Sequence, residues 1–241
     1  MTIRAAPDPS PDWCLFLDVD GTLLELTDTP FAAHAGEELK TLLRSVSDKL
    51  QGALALVSGR SIDYMDELFA PLRLPSAGLH GIERRDAEGV RHGSNRSDPA
   101  LDAARIELAQ FVQAHPGTLV EDKGRTLGLH FRMTPQVQSR AQDVILSAAG
   151  KLGANYQVQA GSMMFELKPR GFSKGDAITA FLREAPFAGR TPVFAGDDLT
   201  DLDGFRAVEH AGGISVGVGD RVQGLFHLDD PASVRRWLAK L

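Results

Sequence analysis

Three clusters of polar residues follow short apolar runs in this sequence and carry the side chains best suited to chemistry. Asp18 and Asp20 follow the first run, Ser58 and Arg60 follow the second, and three aspartates follow the last: Asp197, Asp198 and Asp201. Carboxylates crowded together repel one another, and a divalent cation relieves that repulsion. Oxygen ligands without His or Cys suit Mg²⁺. The pattern therefore predicts a Mg²⁺ site, and Mg²⁺ in turn indicates phosphate chemistry.

Asp18 is the best candidate for a nucleophile, because it follows its apolar run directly and a carboxylate can attack phosphorus to form an aspartyl-phosphate. Asp20 lies two residues further on and leaves an extended chain on the same side. It could protonate the leaving alkoxide and then activate the hydrolytic water. Ser58 and Lys174 could hold the phosphoryl oxygens, and the lysine charge would offset the charge in transfer.

Each of these features also has a purely structural explanation. Asp-Gly is a common turn, Ser-Gly-Arg commonly starts a loop, and paired aspartates often cap helices. Lys174 could be a solvated lysine in the first turn of a helix, although a cation is mildly unfavourable there. The joint placement at predicted strand ends favours a site, because ligands of open parallel sheets bind outside the carboxyl ends of the strands.

The segments around these clusters alternate between strand and helix, which predicts a parallel sheet with helices on its faces. Strands are predicted at Trp13–Leu17, Ala53–Val57, Thr191–Ala195 and Gly213–Val216. Helices are predicted over residues 37–50, 62–69 and 174–184, after Asp198 as far as Val208, and from Pro231, with Ser173 and Asp230 as N-caps.

The middle of the chain has a different pattern, in which hairpins and helices predict a small α+β unit with an antiparallel sheet. Hairpins are predicted across residues 82–92 and 118–132, helices over 99–114 and 137–152, and strands at 157–158 and 164–168. The predicted fold is an α/β protein with a Rossmann-like parallel-sheet core at 13–83 and 170–241, an inserted α+β cap domain at 84–169, and a flexible tail at 1–12.

Composition limits the classes of partner. The 241 residues carry a net charge of −6 and the isoelectric point is near 5.6, which argues against binding to nucleic acid or to anionic membranes. Cys14 is the only cysteine, so neither an intrachain disulfide nor a cysteine-based zinc site is possible. The sequence lacks an apolar run of the roughly 18 residues that span a membrane, and its first residues lack the apolar core of a signal peptide. We expect a cytoplasmic monomer.

Four motifs occur in order across nearly the whole chain: Asp18-Val-Asp20-Gly-Thr22-Leu, Ser58, Lys174 and Gly196-Asp197-Asp198-x-x-Asp201. Together they resemble the haloacid dehalogenase (HAD) superfamily of phosphotransferases. The resemblance implies Asp18 as nucleophile and Asp20 as acid/base. It also implies Mg²⁺ held by Asp18, the backbone carbonyl of Asp20, and Asp197, with Asp198 or Asp201 in support. The insertion between the second and third motifs corresponds to a C2-type cap.

Finer motifs narrow the resemblance: Val57-Ser58-Gly59-Arg60, Gly78-Leu-His80-Gly81-Ile-Glu83, Glu121-Asp-Lys123 and Phe165-Glu166-Leu-Lys168-Pro-Arg-Gly171-x-Ser-Lys174-Gly175. Together they resemble the trehalose-6-phosphate phosphatases. The resemblance implies that Glu121, Lys123 and Glu166 grip sugar hydroxyls, whereas spacing alone would make them cross-strand ion pairs. Arg60 could contact the substrate or brace the cap. Other motif positions are candidates to line the substrate site: Thr22, Gly59, His80 and Lys168.

The resemblance thus implies a Mg²⁺-dependent phosphoric monoester hydrolase that converts trehalose 6-phosphate and water to trehalose and phosphate. Alternatives are another HAD sugar-phosphatase, acting on sucrose 6-phosphate or mannosyl-3-phosphoglycerate, and a phosphomutase. A non-catalytic sugar-phosphate sensor is an alternative from a different class, but a sensor would not need an acid/base at Asp20.

Overall fold

The computed structural model describes residues 4–27, 32–93, 98–161 and 163–241. Its contacts divide the chain into two compact units: a larger unit, Met1–Gly93 with Ser173–Leu241, and a smaller unit, Ser94–Phe172. None of the helices in the described ranges has the length and apolar character needed to cross a membrane.

The strands and helices follow one another closely along the chain. The strands are β1 (Trp13–Leu17), β2 (Leu54–Val57), β3 (Ser76–Gly78), β4 (Glu83–Arg85), β5 (Arg91–Gly93), β6 (Leu119–Asp122), β7 (Leu127–His130), β8 (Tyr156–Gly161), β9 (Met164–Pro169), β10 (Thr191–Gly196), β11 (Ile214–Val218) and β12 (Phe226–Leu228). The helices are α1 (Glu37–Lys49), α2 (Ile62–Leu68), α3 (Asp102–Ala114), α4 (Gln138–Leu152), α5 (Lys174–Phe181), α6 (Leu202–His210) and α7 (Pro231–Leu238).

The larger unit is organised by one sheet, whose described strands run in the order β12-β11-β10-β1-β2-β3-β4-β5. The strands from β12 to β3 pair in parallel, and β4 and β5 extend one edge as an antiparallel hairpin. Every residue of β1 and of β2 is buried. Such continuous apolar runs are typical of parallel strands whose two faces are both covered. The predicted parallel-sheet core is confirmed.

The smaller unit has a four-stranded antiparallel sheet in the order β6-β7-β9-β8. Successive side chains of a strand point to opposite faces. Leu127, Leu129 and Leu167 are fully buried and belong to one apolar core with residues of α3 and α4. The alternate positions include His130, Glu166 and Lys168, so this sheet has one apolar face and one face that carries polar side chains.

The structure places the unit boundary later than the sequence analysis did. The predicted cap began at residue 84, but the hairpin of β4 and β5 belongs to the larger sheet, and the smaller unit begins at Ser94. The smaller unit ends at Phe172, whereas the predicted cap ended at residue 169. Residues 83–93 have a local hairpin pattern, and such a pattern does not say which sheet the hairpin joins.

The expectation of a flexible tail is wrong for residues 4–12, and residues 1–3 lie outside the described part. The Arg4 carbonyl accepts the His227 N–H at 2.9 Å, next to a bridge between Ala5 and His227. The Pro7 carbonyl accepts the Trp237 indole N–H at 2.7 Å. The segment is therefore tied to β12 and α7, although its many prolines and aspartates suggested otherwise.

We expect Trp237→Phe to lower the free energy of unfolding by about 1 kcal/mol, because phenylalanine retains much of the packing but loses the hydrogen bond to Pro7. Urea denaturation followed by circular dichroism measures this change. If both this variant and a chain lacking residues 1–9 unfold at the wild-type midpoint, the segment does not stabilise the fold.

Candidate active site

The three polar clusters of the sequence lie at the same edge of the larger sheet. β1 pairs in parallel with β10 on one side and with β2 on the other. Leu17, the last residue of β1, is in register with Ala195 and Leu56. The segments that follow these strands therefore leave the sheet side by side, which is where ligands bind in open parallel sheets.

Lys174 joins two of these clusters. Its Nζ donates to Asp18 Oδ1 at 2.8 Å and to Asp201 Oδ1 at 2.6 Å. The lysine is 2% exposed, so the solvated alternative is wrong. Burial alone would lower the pKa of Lys174, but the charges of Asp18 and Asp201 outweigh burial and raise it. Lys174 is therefore a buried cation paired with the predicted nucleophile.

Lys174 is positioned by the start of α5. Ser173 is its N-cap, and the Ser173 Oγ accepts the Asp176 N–H at 3.1 Å. Lys174 is the first residue of the helix, where its charge is opposed by the helix dipole. The two carboxylates that pair with it supply the compensating interaction.

Asp201 organises the segment after β10. Its Oδ2 accepts the backbone N–H groups of Asp197 and Asp198, both at 3.0 Å, while its Oδ1 accepts Lys174. Asp201 has no exposed surface. A Cβ at Gly196 would come within 2.4 Å of the Asp201 carboxyl carbon, so the end of β10 must be glycine for the turn to close.

Three carboxylates could hold a metal ion. Asp18, Asp197 and Asp201 each offer an oxygen, and these oxygens lie within 4.8 Å of one another. Burial, reinforced by neighbouring carboxylates, raises the pKa of Asp18 well above its usual range and that of Asp197 to about 6. Carboxylates that resist ionisation together are suited to a divalent cation, which stabilises their charged forms.

The side chains of Asp198 and Asp20 have other partners, and the predicted contact of the Asp20 backbone carbonyl with the metal stays a prediction. Asp198 Oδ1 accepts the Leu199 N–H at 2.8 Å and caps the 3-10 turn before α6. The Asp20 carboxylate pairs with Arg60. Between Asp198 and Asp201, it is Asp201 whose side chain lies in the carboxylate cluster.

Arg221 is a site residue that the sequence analysis missed. It lies in the segment after β11, and its guanidinium donates to Asp197 Oδ2 and lies 3.7 Å from Asp198 Oδ1. Thr22 Oγ1 donates to the other oxygen of Asp197 at 3.4 Å. The rule applied to the other strands, that polar residues after a parallel strand lie at the binding edge, would have found Arg221 after β11.

The loop after β2 brings further predicted residues to this edge. Ser58 is buried, and its Oγ accepts the Arg60 N–H at 3.1 Å. A Cβ at Gly59 would lie 2.6 Å from His80 Nε2, so the His80 ring covers the loop at this point. The His80 backbone has φ 56° and its N–H donates to the Ser58 carbonyl at 3.0 Å.

The smaller unit gathers the remaining predicted residues on the polar face of its sheet. Glu121 and Glu166 both oppose Gly128 in the strand register. Lys123 Nζ lies 3.6 Å from Glu121 Oε2 and 3.1 Å from Glu166 Oε1. The cross-strand ion pairs expected from spacing are therefore present. Lys168 is buried on β9, one side-chain repeat beyond Glu166.

His130 is a second site residue that the sequence motifs did not predict. Its Nε2 lies 3.0 Å from Glu121 Oε2. Burial would raise the pKa of Glu121, but the contacts with His130 and Lys123 outweigh burial and lower it. Glu166 also accepts the Thr126 hydroxyl at 2.9 Å. These contacts hold two carboxylates in fixed positions on the polar face.

Comparison with known proteins identifies relatives over nearly the whole chain. The family model described as trehalose-phosphatase matches residues 16–226. A probable trehalose-phosphate phosphatase of Sinorhizobium fredii is 42% identical, over 88% of this chain and 79% of the relative. The trehalose-6-phosphate phosphatase of Escherichia coli is 39% identical, over 98% of this chain and 89% of the relative. The solved C-terminal domain of the C. albicans trehalose-6-phosphate phosphatase superposes with a TM-score of 0.86 at 19% identity, covering 99% of this chain and 98% of that one, which supports the fold alone.

The raised pKa of Asp197 predicts how a metal changes stability. Without metal, the carboxyl is protonated in the folded protein up to about pH 6 but ionises near 3.8 when unfolded. A folded-state pKa above the unfolded value contributes stability that is lost as the pH rises through the folded pKa. Because metal binds ionised carboxylates, we expect Mg²⁺ to raise the melting temperature more at about pH 7.5 than at about pH 5.

Thermal unfolding in chelator and in Mg²⁺ tests this expectation across that pH range. Asp197→Asn should lose most of the Mg²⁺-dependent shift. Asp203→Asn, which changes an exposed aspartate of α6 paired with Arg206, is the matched control and should keep the shift. An equal shift in wild type and Asp197→Asn would contradict the assignment of Asp197 as a ligand.

Proposed function

This chain belongs to the trehalose-phosphatase family, and from that premise we propose that it hydrolyses trehalose 6-phosphate to trehalose and inorganic phosphate. The family and the enzyme class predicted from the sequence, a phosphoric monoester hydrolase, are confirmed by these relatives. The observation that supports the mechanism most directly is the contact of buried Lys174 with Asp18 inside the carboxylate cluster.

Asp18 is the nucleophile in the proposed mechanism. Its Oδ1 accepts a hydrogen bond from Lys174, which restrains the carboxylate. An oxygen of Asp18 forms a bond to phosphorus as the bond from phosphorus to the sugar oxygen breaks. Asp20 gives its proton to the departing sugar oxygen, so trehalose leaves as the neutral alcohol.

Water completes the reaction. Asp20, now a carboxylate, accepts a proton from a water molecule that attacks the phosphorus of the aspartyl-phosphate. The bond from phosphorus to Asp18 breaks, phosphate leaves and the Asp18 carboxylate is restored. Lys174 and Ser58 are the groups that we assign to the phosphoryl oxygens during both steps.

The carboxylate cluster fits Mg²⁺, with Asp18, Asp197 and Asp201 as the side chains that would hold it. A divalent ion there supplies positive charge that offsets the charge of the phosphoryl group in transfer. Thr22 and Arg221 donate to Asp197 and so orient one of these carboxylates.

The sugar is assigned to the polar face of the smaller unit. Glu121, Lys123 and Glu166 contact one another there, and a carboxylate that already accepts one hydrogen bond still has lone pairs for sugar hydroxyls. The ion pairs and a sugar-binding role are therefore compatible. Lys168, His80 and Gly59 stay candidate substrate-site residues, and a monomeric, cytoplasmic protein without nucleic-acid or membrane partners stays a prediction from the sequence.

A panel of substrates tests the proposed reaction. We expect Mg²⁺-dependent phosphate release to be much faster with trehalose 6-phosphate than with sucrose 6-phosphate, mannosyl-3-phosphoglycerate or glucose 6-phosphate. Preference for one of these competitors would overturn the substrate assignment but not the mechanism. A product isomeric with the substrate, with little phosphate released, would instead indicate a phosphomutase.

Asp18→Asn tests the nucleophile. An amide cannot form the acyl-phosphate, so we expect phosphate release to fall by at least about a thousandfold, which corresponds to about 4 kcal/mol of activation free energy. Asp203→Asn changes an exposed aspartate that pairs with Arg206 and not with the cluster, so it should retain wild-type activity. Circular dichroism should show both variants folded. Substantial turnover by folded Asp18→Asn would rule out Asp18 as the nucleophile.

A further inference from the structure

Arg60 holds the side chain of Asp20 in a two-point ion pair. Its Nε lies 2.6 Å from Asp20 Oδ2, and its Nη2 lies 2.7 Å from Asp20 Oδ1. A planar guanidinium matches a carboxylate in this parallel arrangement, which adds geometric specificity to the charge attraction. The Arg60 side chain is only 9% exposed, whereas that of Asp20 is 30% exposed. The buried partner therefore fixes both oxygens of the more accessible one.

The guanidinium of Arg60 is itself held. Its central carbon lies 4.4 Å from the centroid of the Tyr64 ring, a cation–π contact. The Arg60 N–H donates to Ser58 Oγ, and the Arg60 carbonyl accepts the Leu79 N–H at 3.0 Å. The backbone and the side chain of Arg60 are thus both held by contacts, which orient its guanidinium.

A second contact joins the start of α2 to the start of β4. The buried Glu83 carboxylate accepts the N–H of Ile62, the first residue of α2, at 2.6 Å. Tyr64 lies two residues further along the same helix. The helix that carries Tyr64 is therefore attached to β4, and Tyr64 in turn contacts the Arg60 guanidinium.

We propose that Arg60 is a positioning residue for Asp20 and acts on the substrate only through that carboxylate. This rests on the proposed function, in which Asp20 transfers a proton in both half-reactions. Proton transfer requires the carboxylate within hydrogen-bond reach of first the sugar oxygen and then the water. The two contacts with Arg60 restrict the rotation of the Asp20 side chain, which is partly exposed.

Steady-state kinetics separate positioning from substrate binding. We expect Arg60→Ala to lower kcat by about 10- to 100-fold, within the contribution of a well-placed general acid/base, and to leave KM within about twofold. Arg60→Lys should recover only part of the loss, because an ammonium group cannot make the two-point contact. Arg73→Ala removes an arginine whose side chain is 74% exposed and should match wild type.

A double-mutant cycle shows whether the effect passes through Asp20. In an Asp20→Asn background, Arg60→Ala should cost less than about threefold more, because the group that it positions has already lost its function. A raised KM at unchanged kcat, or the same loss of kcat in both backgrounds, would overturn the proposal. Melting temperatures and circular dichroism of every variant exclude a loss of folded protein as the cause.

The cycle is measured with both trehalose 6-phosphate and p-nitrophenyl phosphate. If the wild-type chain hydrolyses only the aryl ester, the proposed substrate is wrong. Because p-nitrophenolate leaves without a proton, the aryl ester then reports the coupling of Arg60 to Asp20 through the water step alone. If trehalose 6-phosphate is hydrolysed but the coupling is absent with both esters, the proposed function stands and the role of Arg60 is overturned.

Discussion

The burial of Lys174 between two carboxylates is the constraint on which the rest of the larger unit's active site depends. An ammonium group and carboxylates removed from water are each costly by several kcal/mol unless they are paired. Lys174 compensates Asp18 and Asp201 directly. When the three clustered carboxylates are ionised, Lys174 and Arg221 offset only part of their charge, so the cluster keeps a net negative charge that favours a cation. The ion pairs with Lys174 and the binding of a metal ion would thus both compensate the negative charge of the carboxylate cluster.

That requirement explains why the site is assembled from separate strand ends. Asp18 follows β1, Asp197 and Asp201 follow β10, and Lys174 begins α5, so no local segment has to accommodate all the charges. Backbone groups supply the remaining compensation, since Asp201 accepts two main-chain N–H donors. Close approach of the backbone at Gly196 allows this. The fold thereby holds in place charges that the unfolded chain would keep apart.

The sequence predicted the parts of this arrangement that depend on long local patterns. β1 was bounded correctly because its five residues are all apolar and the first cluster follows at once. β3 and β12 were missed, since three residues are too few to show a period. The hairpin of β4 and β5 was recognised but assigned to the wrong unit, because its partner β3 lies outside the local pattern. Arg221 was missed although the strand-end rule covers it, because it lies several residues beyond Val216, where that strand was predicted to end.

The residues on the smaller unit show why side-chain roles are harder to predict than strand ends. Spacing favoured ion pairs among Glu121, Lys123 and Glu166, and family resemblance favoured contacts with sugar hydroxyls. The structure has the ion pairs, and His130 adds a further contact to Glu121. A carboxylate fixed in this way loses little side-chain entropy when a hydroxyl binds, which reduces one of the costs of association. The ion pairs are therefore compatible with the proposed binding of sugar hydroxyls on this face.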